Sequence, residues 1–283
     1  MKIENKTFGE ERALYNLTNA TVTKCRFAGM EDGESALKEC RNFNVYDCDF
    51  YLRYPLWHGT GFRIENSRFY DTCRAAMWYD VNAELYNCRL NGIKACRECQ
   101  NVTLVNCDAD SPEFGWKCRG VNVTGGHYVS EYFMFESADV KLANVDFKGK
   151  YSFQYVENAE IDDCVLDTKD AFWHAKNVTV RNSVVKGEYL AWYSENVTFI
   201  NCTITGTQPL CYCKNLTLVN CKTEGCDLAF EYSDVKADIT GRIDSVKNPK
   251  SGEITADEIG ETILENSVIT TSCVITTRNL RKN

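Results

Sequence analysis

Asn101-Val102-Thr103-Leu104-Val105-Asn106-Cys107 decides the fold, because its pattern returns throughout the chain, for example as Asn196-Val197-Thr198-Phe199-Ile200-Asn201-Cys202. We number the first asparagine of the pattern, or the residue that replaces it, as position 0. Position 0 recurs every 19 residues at Asn82, Asn101, Gly120, Asp139, Asn158, Asn177, Asn196, Asn215 and Asp234. Less regular copies begin at Asn19, Asn42, Gly61 and Glu261. A fixed period of this length predicts a solenoid in which each repeat forms one coil.

Within each coil, hydrophobicity alternates in the manner of a β-strand. Positions +1 and +3 are apolar in the regular coils, as in Val102 and Leu104, whereas positions +2 and +4 are mostly polar. This alternation and the many β-branched residues predict strands rather than helices. We therefore expect an all-β solenoid of about 12–13 coils with a 19-residue period, stacked at the usual strand spacing of about 4.8 Å.

Asparagine occupies two positions of the repeat, 0 and +5, and glycine recurs at +10. Asparagine tolerates the left-handed conformation of a corner, and its amide can bond to the same amide one coil away. We expect two structural asparagine ladders, and a positive φ at the glycine.

The repeat predicts a single β-helix domain, residues 1–283. Residues 1–18 are expected to be an N-terminal cap and residues 19–240 the regular coils. The period breaks after Thr240, where Lys247-Asn248-Pro249-Lys250-Ser251-Gly252 indicates an exposed loop. Residues 241–283 are therefore expected to hold a loop insertion, the last coil and a C-terminal cap.

Composition excludes some classes of partner. The chain carries a net charge of −8, with a pI near 5.1 and no basic stripe, so neither nucleic acid nor a membrane is an expected partner. There is no apolar signal segment or membrane-spanning run. The sixteen cysteines follow repeat positions, and this pattern favours reduced thiols in the cytoplasm.

The coils resemble the single-stranded right-handed parallel β-helix superfamily that includes pectate lyases and polygalacturonases. Thr7-Phe8-Gly9-Glu10-Glu11-Arg12-Ala13-Leu14 and the Asn-Val-x-Leu-x-Asn-Cys coils resemble a bacterial family known only as a domain of unknown function. This resemblance covers nearly the whole chain. It implies a right-handed parallel β-helix and carries no activity, and the superfamily's catalytic patterns have no clear counterpart in the sequence.

Aromatic residues concentrate at two adjacent positions. All five tryptophans occupy position −4, and position −3 carries aromatic and charged residues. Because adjacent residues on a strand face opposite ways, we expect the tryptophans inside and position −3 outside. Flat aromatic faces beside carboxylates suit sugar rings, which makes the −3 row a candidate ligand-binding stripe. Its members are Glu136, Tyr155, His174, Tyr193 and Tyr212. Cross-coil pairing that only stabilises the sheet is the alternative.

A second candidate site lies at position +7. His127 is expected between Asp108 and Asp146 of the neighbouring coils, an arrangement that suits a general base. An exposed column of alternating charge gives the same pattern without any catalytic role.

Cysteine alternates with serine, valine and alanine at positions +6 and −2, as expected of a small core position. Cys96-Arg97-Glu98-Cys99 has the spacing of a metal or redox pair. On a strand, however, this odd separation would send the two side chains to opposite faces. The sequence therefore predicts no metal site and no cofactor.

Three functions stay open at this point. The main expectation is a non-catalytic scaffold or interaction module. The alternative is a carbohydrate-binding or carbohydrate-processing protein that uses the exposed Tyr/His/Glu stripe, and another enzyme or metal protein is the third. The sequence does not decide whether the protein is an enzyme. A carbohydrate or protein partner and association through the ends of the β-helix are equally open.

Overall fold

The computed structural model describes residues 1–30 and 33–278. The chain is an all-β, right-handed parallel β-helix of about 14 turns with a period of ~19 residues, so the predicted fold class and period are confirmed. It divides into two compact units, the first from Met1 to Asp146 and the second beginning at Phe147. In the part of the chain that is described, no helix is long and apolar enough to cross a membrane.

In the first unit, every coil contributes to a long and a short row of parallel strands. The long row carries positions −1 to +4 and consists of Lys2–Glu4, Thr18–Thr23, Arg41–Tyr46, Thr60–Glu65, Val81–Tyr86, Gln100–Val105, Arg119–Thr124 and Ala138–Ala143. The short row begins at position +7 and consists of Thr7–Phe8, Arg26–Phe27, Asp49–Phe50, Arg68–Phe69, Arg89–Asn91, Asp108–Asp110 and His127–Ser130, with Asp146–Gly149 beginning at the last residue of the unit. Leu56–Trp57, Met77–Trp78 and Cys96–Arg97 form a third row, and Asp71–Cys73 is a 3-10 turn.

The second unit repeats this arrangement and then lengthens its strands. Its long row consists of Glu157–Asp162, Lys176–Arg181, Glu195–Ile200, Lys214–Glu224, Asp234–Lys247, Ser251–Ile263 and Val274–Thr277. Its short row consists of Val165–Asp167, Val184–Lys186 and Thr203–Thr205. Lys214–Glu224 runs without a break through the corner and pairs with both rows.

Both expected end regions contain coil structure. Lys2–Glu4 pairs in parallel with Thr18–Thr23, so the first residues already belong to a coil. Where a loop insertion was expected after residue 240, Asp234–Lys247 and Ser251–Ile263 pair in parallel along most of their length. Pro249 and Gly252 mark only the turn between them. About 14 turns are found, compared with the 12–13 expected from the repeat. Residues 279–283 of the predicted cap lie outside the described residues.

Aromatic rings stack along the interior. The rings of Phe27, Phe50 and Phe69 follow one another with centroid distances of 4.6 and 4.5 Å, and all three are essentially fully buried. In the second unit, Phe153 and Phe172 stack at 4.8 Å. Like residues therefore meet in one column, and each coil packs on its neighbour with the same shape.

The asparagines form corners, and their amides bond from coil to coil. Asn101 donates to Asn82 at 3.0 Å and Asn196 to Asn177 at 2.9 Å, while both donors have a φ near 55°. At position +10, Gly187 has a φ of 142°, and a Cβ there would lie 1.7 Å from a backbone carbonyl. Only glycine fits this turn without moving the neighbouring coil.

Cysteine and serine make the same hydrogen bonds in the interior columns. Cys48 Sγ accepts from the N–H of Cys25 at 3.3 Å, and Ser67 Oγ accepts from the N–H of Cys48 at 3.1 Å. Each side chain also donates to the carbonyl two residues earlier, that of Tyr46 at 3.2 Å or Glu65 at 2.9 Å. These positions are thus small and buried, as expected, and they also satisfy a backbone N–H. All sixteen cysteines are free thiols.

Candidate functional site

The turn before each long strand positions the aromatic side chains. Position −3 has a left-handed backbone, with φ of 57° at Tyr155, 54° at His174 and 59° at Tyr193. Strand alternation does not apply through such a turn. The prediction that the tryptophans lie inside is therefore wrong, because positions −4 and −3 both reach the surface. All five tryptophans are half-buried: Trp57, Trp78, Trp116, Trp173 and Trp192.

In the second unit these positions form a continuous surface that we call the aromatic ridge; its residues are Tyr155, Trp173, His174, Trp192, Tyr193 and Tyr212. The rings of Tyr155, His174, Tyr193 and Tyr212 stack in this order, with centroid distances of 4.9, 5.2 and 4.8 Å and interplanar angles of 10–11°. Tyr155 and Tyr193 are 47% and 48% exposed. The structure thus brings four of the five predicted stripe residues into one row.

Backbone carbonyls hold the tryptophans of the ridge in place. The indole N–H of Trp173 donates to the carbonyl of Tyr189 at 2.6 Å, and that of Trp192 donates to Gln208 at 2.7 Å. Gln154, which occupies the tryptophan position of its own coil, makes the equivalent bond to the carbonyl of Asp170 at 2.9 Å. Gln154 therefore points the same way as the tryptophans of this column. These hydrogen bonds hold the ridge side chains in place without a ligand.

The stacking decides which part of each ring a ligand can reach. Planes nearly parallel at centroid distances of about 5 Å leave no room for a sugar ring between them. Within the ridge the ring faces cover one another, and the Tyr212 hydroxyl donates to the Glu231 carboxylate at 3.4 Å. Burial, and then the Glu231 carboxylate, raise the pKa of Tyr212 to about 12, so its hydroxyl stays neutral. The ridge can therefore offer aromatic edges and neutral hydrogen-bonding groups.

A column of alternating charge borders the ridge on one side, and an ion pair lies on the other. On one side Glu157, Lys176, Glu195 and Lys214 lie opposite one another in register, and Lys176 Nζ is 3.8 Å from Glu157. On the other side Lys169 Nζ is 2.9 Å from Glu188. The four residues in register balance in charge, whereas the other side carries Lys150 as well as Lys169 and Glu188, so the rim is polar and holds both signs of charge.

Glu136, the fifth residue of the predicted stripe, belongs to the first unit. Its left-handed backbone and exposed side chain match its position −3, and its carboxylate is 3.4 Å from Lys117 Nζ. Both side chains are nearly half exposed, which limits the strength of this pair. Glu136 thus makes the cross-coil ion pair that was the structural alternative for this row.

His127 lies between the two predicted aspartates. Its Nδ1 is 3.1 Å from Asp146 Oδ2, and its backbone N–H donates to Asp108 Oδ1 at 2.9 Å. Of the two aspartates, Asp146 contacts the imidazole and Asp108 contacts the backbone. The side chains of His127 and Asp146 are 52% and 63% exposed, so solvent screens the pair. Asp146 can orient the imidazole, but the ring stays open to water, whereas a general base in a closed site is shielded from water.

A groove of about 700 Å³ lies beside Asp108 in the first unit, and we call it the polar groove. Its polar lining consists of Asn66, Arg68, Tyr70, Asp71, Asn87, Arg89, Asn91, Asn106 and Asp108. Arg89 lies directly opposite Arg68 on one side and Asp108 on the other. Phe69 and Leu90 point inward at the next position, which turns both arginines outward.

Three thiols in the first unit could hold a metal. Cys96, Cys99 and Cys118 are fully buried, and their sulfur atoms lie within 4.8 Å of one another. The prediction that Cys96 and Cys99 face opposite ways is wrong, because the intervening Glu98 has a left-handed backbone and ends the alternation. Cys99 and Cys118 also cap backbone N–H groups of the preceding coil. Three donors are one fewer than a structural zinc site uses.

Sequence reasoning found the residues of the ridge but missed the groove. At position +7 the sequence predicted a site around His127. Arg68 and Arg89 occupy the same position in two earlier coils. The available signal was an arginine at position +7 in two successive coils, followed by an aspartate in the third. What the repeat alone could not show is that Asp71 and Asn91, from the following turn, border the same groove.

Solved structures similar to this chain share its fold. The A-module of a mannuronan C-5 epimerase from Azotobacter vinelandii is 11% identical, with 97% of this chain and 89% of that chain covered and a TM-score of 0.39. A polygalacturonase from Erwinia carotovora is also 11% identical. The match covers 97% of this chain and 85% of that chain, with a TM-score of 0.32. The Streptococcus pneumoniae surface protein and adhesin PfbA is 9% identical. The match covers 97% of this chain and 91% of that chain, with a TM-score of 0.35. At these identities the likeness concerns the fold alone.

Sequence comparison gives one match. A family model for a protein of unknown function matches residues 1–276. No curated protein matches the chain.

Proposed function

The chain belongs to the family described as "Protein of unknown function (DUF3737)", and from its own surface we propose a non-catalytic interaction module that docks another protein on the aromatic ridge. The observation that carries this proposal is the fixed row of exposed rings, which is bordered by ion-paired charges of both signs. Protein interfaces combine an aromatic centre with a polar rim in the same way.

The rigidity of the ridge supports docking. Tyrosine and tryptophan dominate the energetically important residues of protein interfaces. Here the stacking of Tyr155, His174 and Tyr193 and the indole hydrogen bonds of Trp173 and Trp192 already fix the side chains. A partner therefore binds without the loss of side-chain entropy that ordering these groups would otherwise require.

Site-specific photocrosslinking of the full-length chain tests the proposal. A photoreactive phenylalanine replaces Tyr155 or Tyr193 in cells that naturally make the protein, and a control replaces Tyr86, which lies on the long row of the first unit. We expect one partner to crosslink at both ridge positions and not at Tyr86. Binding of that purified partner should weaken about tenfold or more in Tyr193→Ala. Equal crosslinking at Tyr86, or unchanged affinity in Tyr193→Ala, would refute docking on the ridge.

Carbohydrate binding on the same stripe is the second candidate, and the exposure of Tyr155 and Tyr193 favours it. Because the ring faces are covered, a sugar would contact only ring edges and hydroxyl groups. Calorimetric titration with neutral and acidic oligosaccharides separates the two functions. Binding that Tyr155→Ala abolishes would favour a saccharide, whereas no heat from any sugar would leave the protein-docking function.

A further inference from the structure

We propose that the polar groove of the first unit binds the phosphoryl group of a hydroxylated phosphate monoester through Arg68 and Arg89. This site is distinct from the ridge and does not depend on the function proposed for it. The first observation is the charge of the two arginines. Within residues 1–30 and 33–278, neither guanidinium group has a hydrogen-bond or ion-pair partner.

This lack of partners distinguishes the two arginines from others in the same unit. Arg63 bonds to Glu65 at 2.6 Å, and Arg97 lies 3.1 Å from Glu98. Arg68 and Arg89 are instead neighbours in register on adjacent strands, one coil apart. Two like charges directly opposite each other destabilise a sheet. An anion bound between them would remove this repulsion.

The number of positive groups indicates which anion fits. One guanidinium fork satisfies the two oxygens of a carboxylate. Two forks on adjacent strands, which lie about 4.8 Å apart, suit a dianion with three terminal oxygens, such as a phosphate monoester near neutral pH. Arginine is also well suited to phosphate because its planar donors bind two oxygens at once.

The remaining lining indicates the body of the ligand. Asp71 and Asp108 border the groove and would accept hydrogen bonds from hydroxyl groups. Asn91 Oδ1 accepts the backbone N–H of Asp110 at 3.3 Å, which leaves the Asn91 amide nitrogen as a donor. Carboxylates so close to a phosphate repel any acidic group elsewhere on the ligand. We therefore expect a neutral, hydroxyl-rich body, as in a sugar phosphate.

Calorimetric titration of the full-length protein at low salt tests this site with inorganic phosphate, glucose 6-phosphate, glucuronate and glucose. We expect glucose 6-phosphate to bind most tightly, inorganic phosphate more weakly, and glucose not at all. Glucuronate should bind about tenfold or more weakly than glucose 6-phosphate. If glucuronate binds as tightly, the site recognises a carboxylate and the assignment to phosphate is wrong. If no phosphate compound binds at millimolar concentration, the site does not exist.

Matched variants separate the groove from general charge. Arg68→Gln and Arg89→Gln should each weaken glucose 6-phosphate binding about tenfold or more. Arg89→Lys, which keeps the charge and removes the fork, should recover only part of that affinity. The control is Arg119→Gln, an exposed arginine of the same unit outside the groove, with the same change in net charge. Equal weakening in Arg119→Gln would overturn the proposal, and a cooperative thermal unfolding transition shows that each variant is folded.

Discussion

At the scale of single residues, the interior polar columns combine burial with hydrogen bonding. Ser67 is fully buried, accepts the N–H of Cys48 and donates to the carbonyl of Glu65. We expect Ser67→Ala to lower the free energy of unfolding by about 1–3 kcal/mol, because it leaves a buried N–H without an acceptor. Ser67→Cys restores an acceptor and should lose less. Urea denaturation of both variants measures the difference, and equal loss in the two would show that the hydrogen bond has no role.

Buried thiols make the stability sensitive to alkali. Burial is the largest effect that raises the pKa of Cys48, Cys211 and Cys226 to about 12, whereas an unfolded thiol ionises near 9. Because the folded pKa is the higher one, the stabilisation is complete below about pH 9 and is lost as the pH rises toward 12. Each such thiol should lower the free energy of unfolding by about 1.4 kcal/mol per pH unit above pH 9.

Urea denaturation in reducing buffer at about pH 8, 9 and 10 checks this dependence. Cys226→Ser should reduce the slope between pH 9 and 10 by the contribution of one thiol. A free energy of unfolding that does not change over this range would contradict the prediction.

At the scale of the repeating element, the corner asparagines join neighbouring coils. Asn196 donates to Asn177, accepts from Asn215 and has a φ of 56°. We expect Asn196→Ala to lower the free energy of unfolding by about 1–3 kcal/mol, through lost amide bonds and the unfavourable left-handed backbone. Asn196→Gly removes the same bonds without the backbone strain, so it should lose less. Thermal unfolding of the pair separates the two effects, and a more stable alanine variant would exclude the strain.

The strands and the asparagine corners could be predicted from the sequence, and the aromatic turn could not. Val102 and Leu104 alternate with polar residues over six positions, enough to identify the strand Gln100–Val105 and its inward face. The aromatic turn is too short for a period to show. Its left-handed residues, such as Glu98 and Tyr193, are of types that do not usually indicate that conformation. The positions of the tryptophans and of the Cys96 and Cys99 thiols were therefore wrongly predicted.

At the scale of the whole molecule, the repeat predicts which deletions the fold tolerates. Removal of residues 177–195 takes out one full period and places Val197 on Ala159 and Phe199 on Ile161, apolar on apolar. Because each coil contacts mainly its neighbours, we expect this variant to fold and unfold cooperatively. Removal of residues 178–195, one residue fewer, shifts the register and turns the apolar face outward. Circular dichroism and thermal unfolding compare the two, and similar behaviour would show that register is not decisive.

The location of the tryptophans has a consequence for optical measurements. All five indoles lie half-buried at position −4 of their coils, while phenylalanine, leucine, valine and cysteine fill the interior. Intrinsic tryptophan emission therefore reports on this surface and depends little on packing in the interior. Its wavelength should respond when a partner covers Trp173 and Trp192, even if the coils beneath do not change.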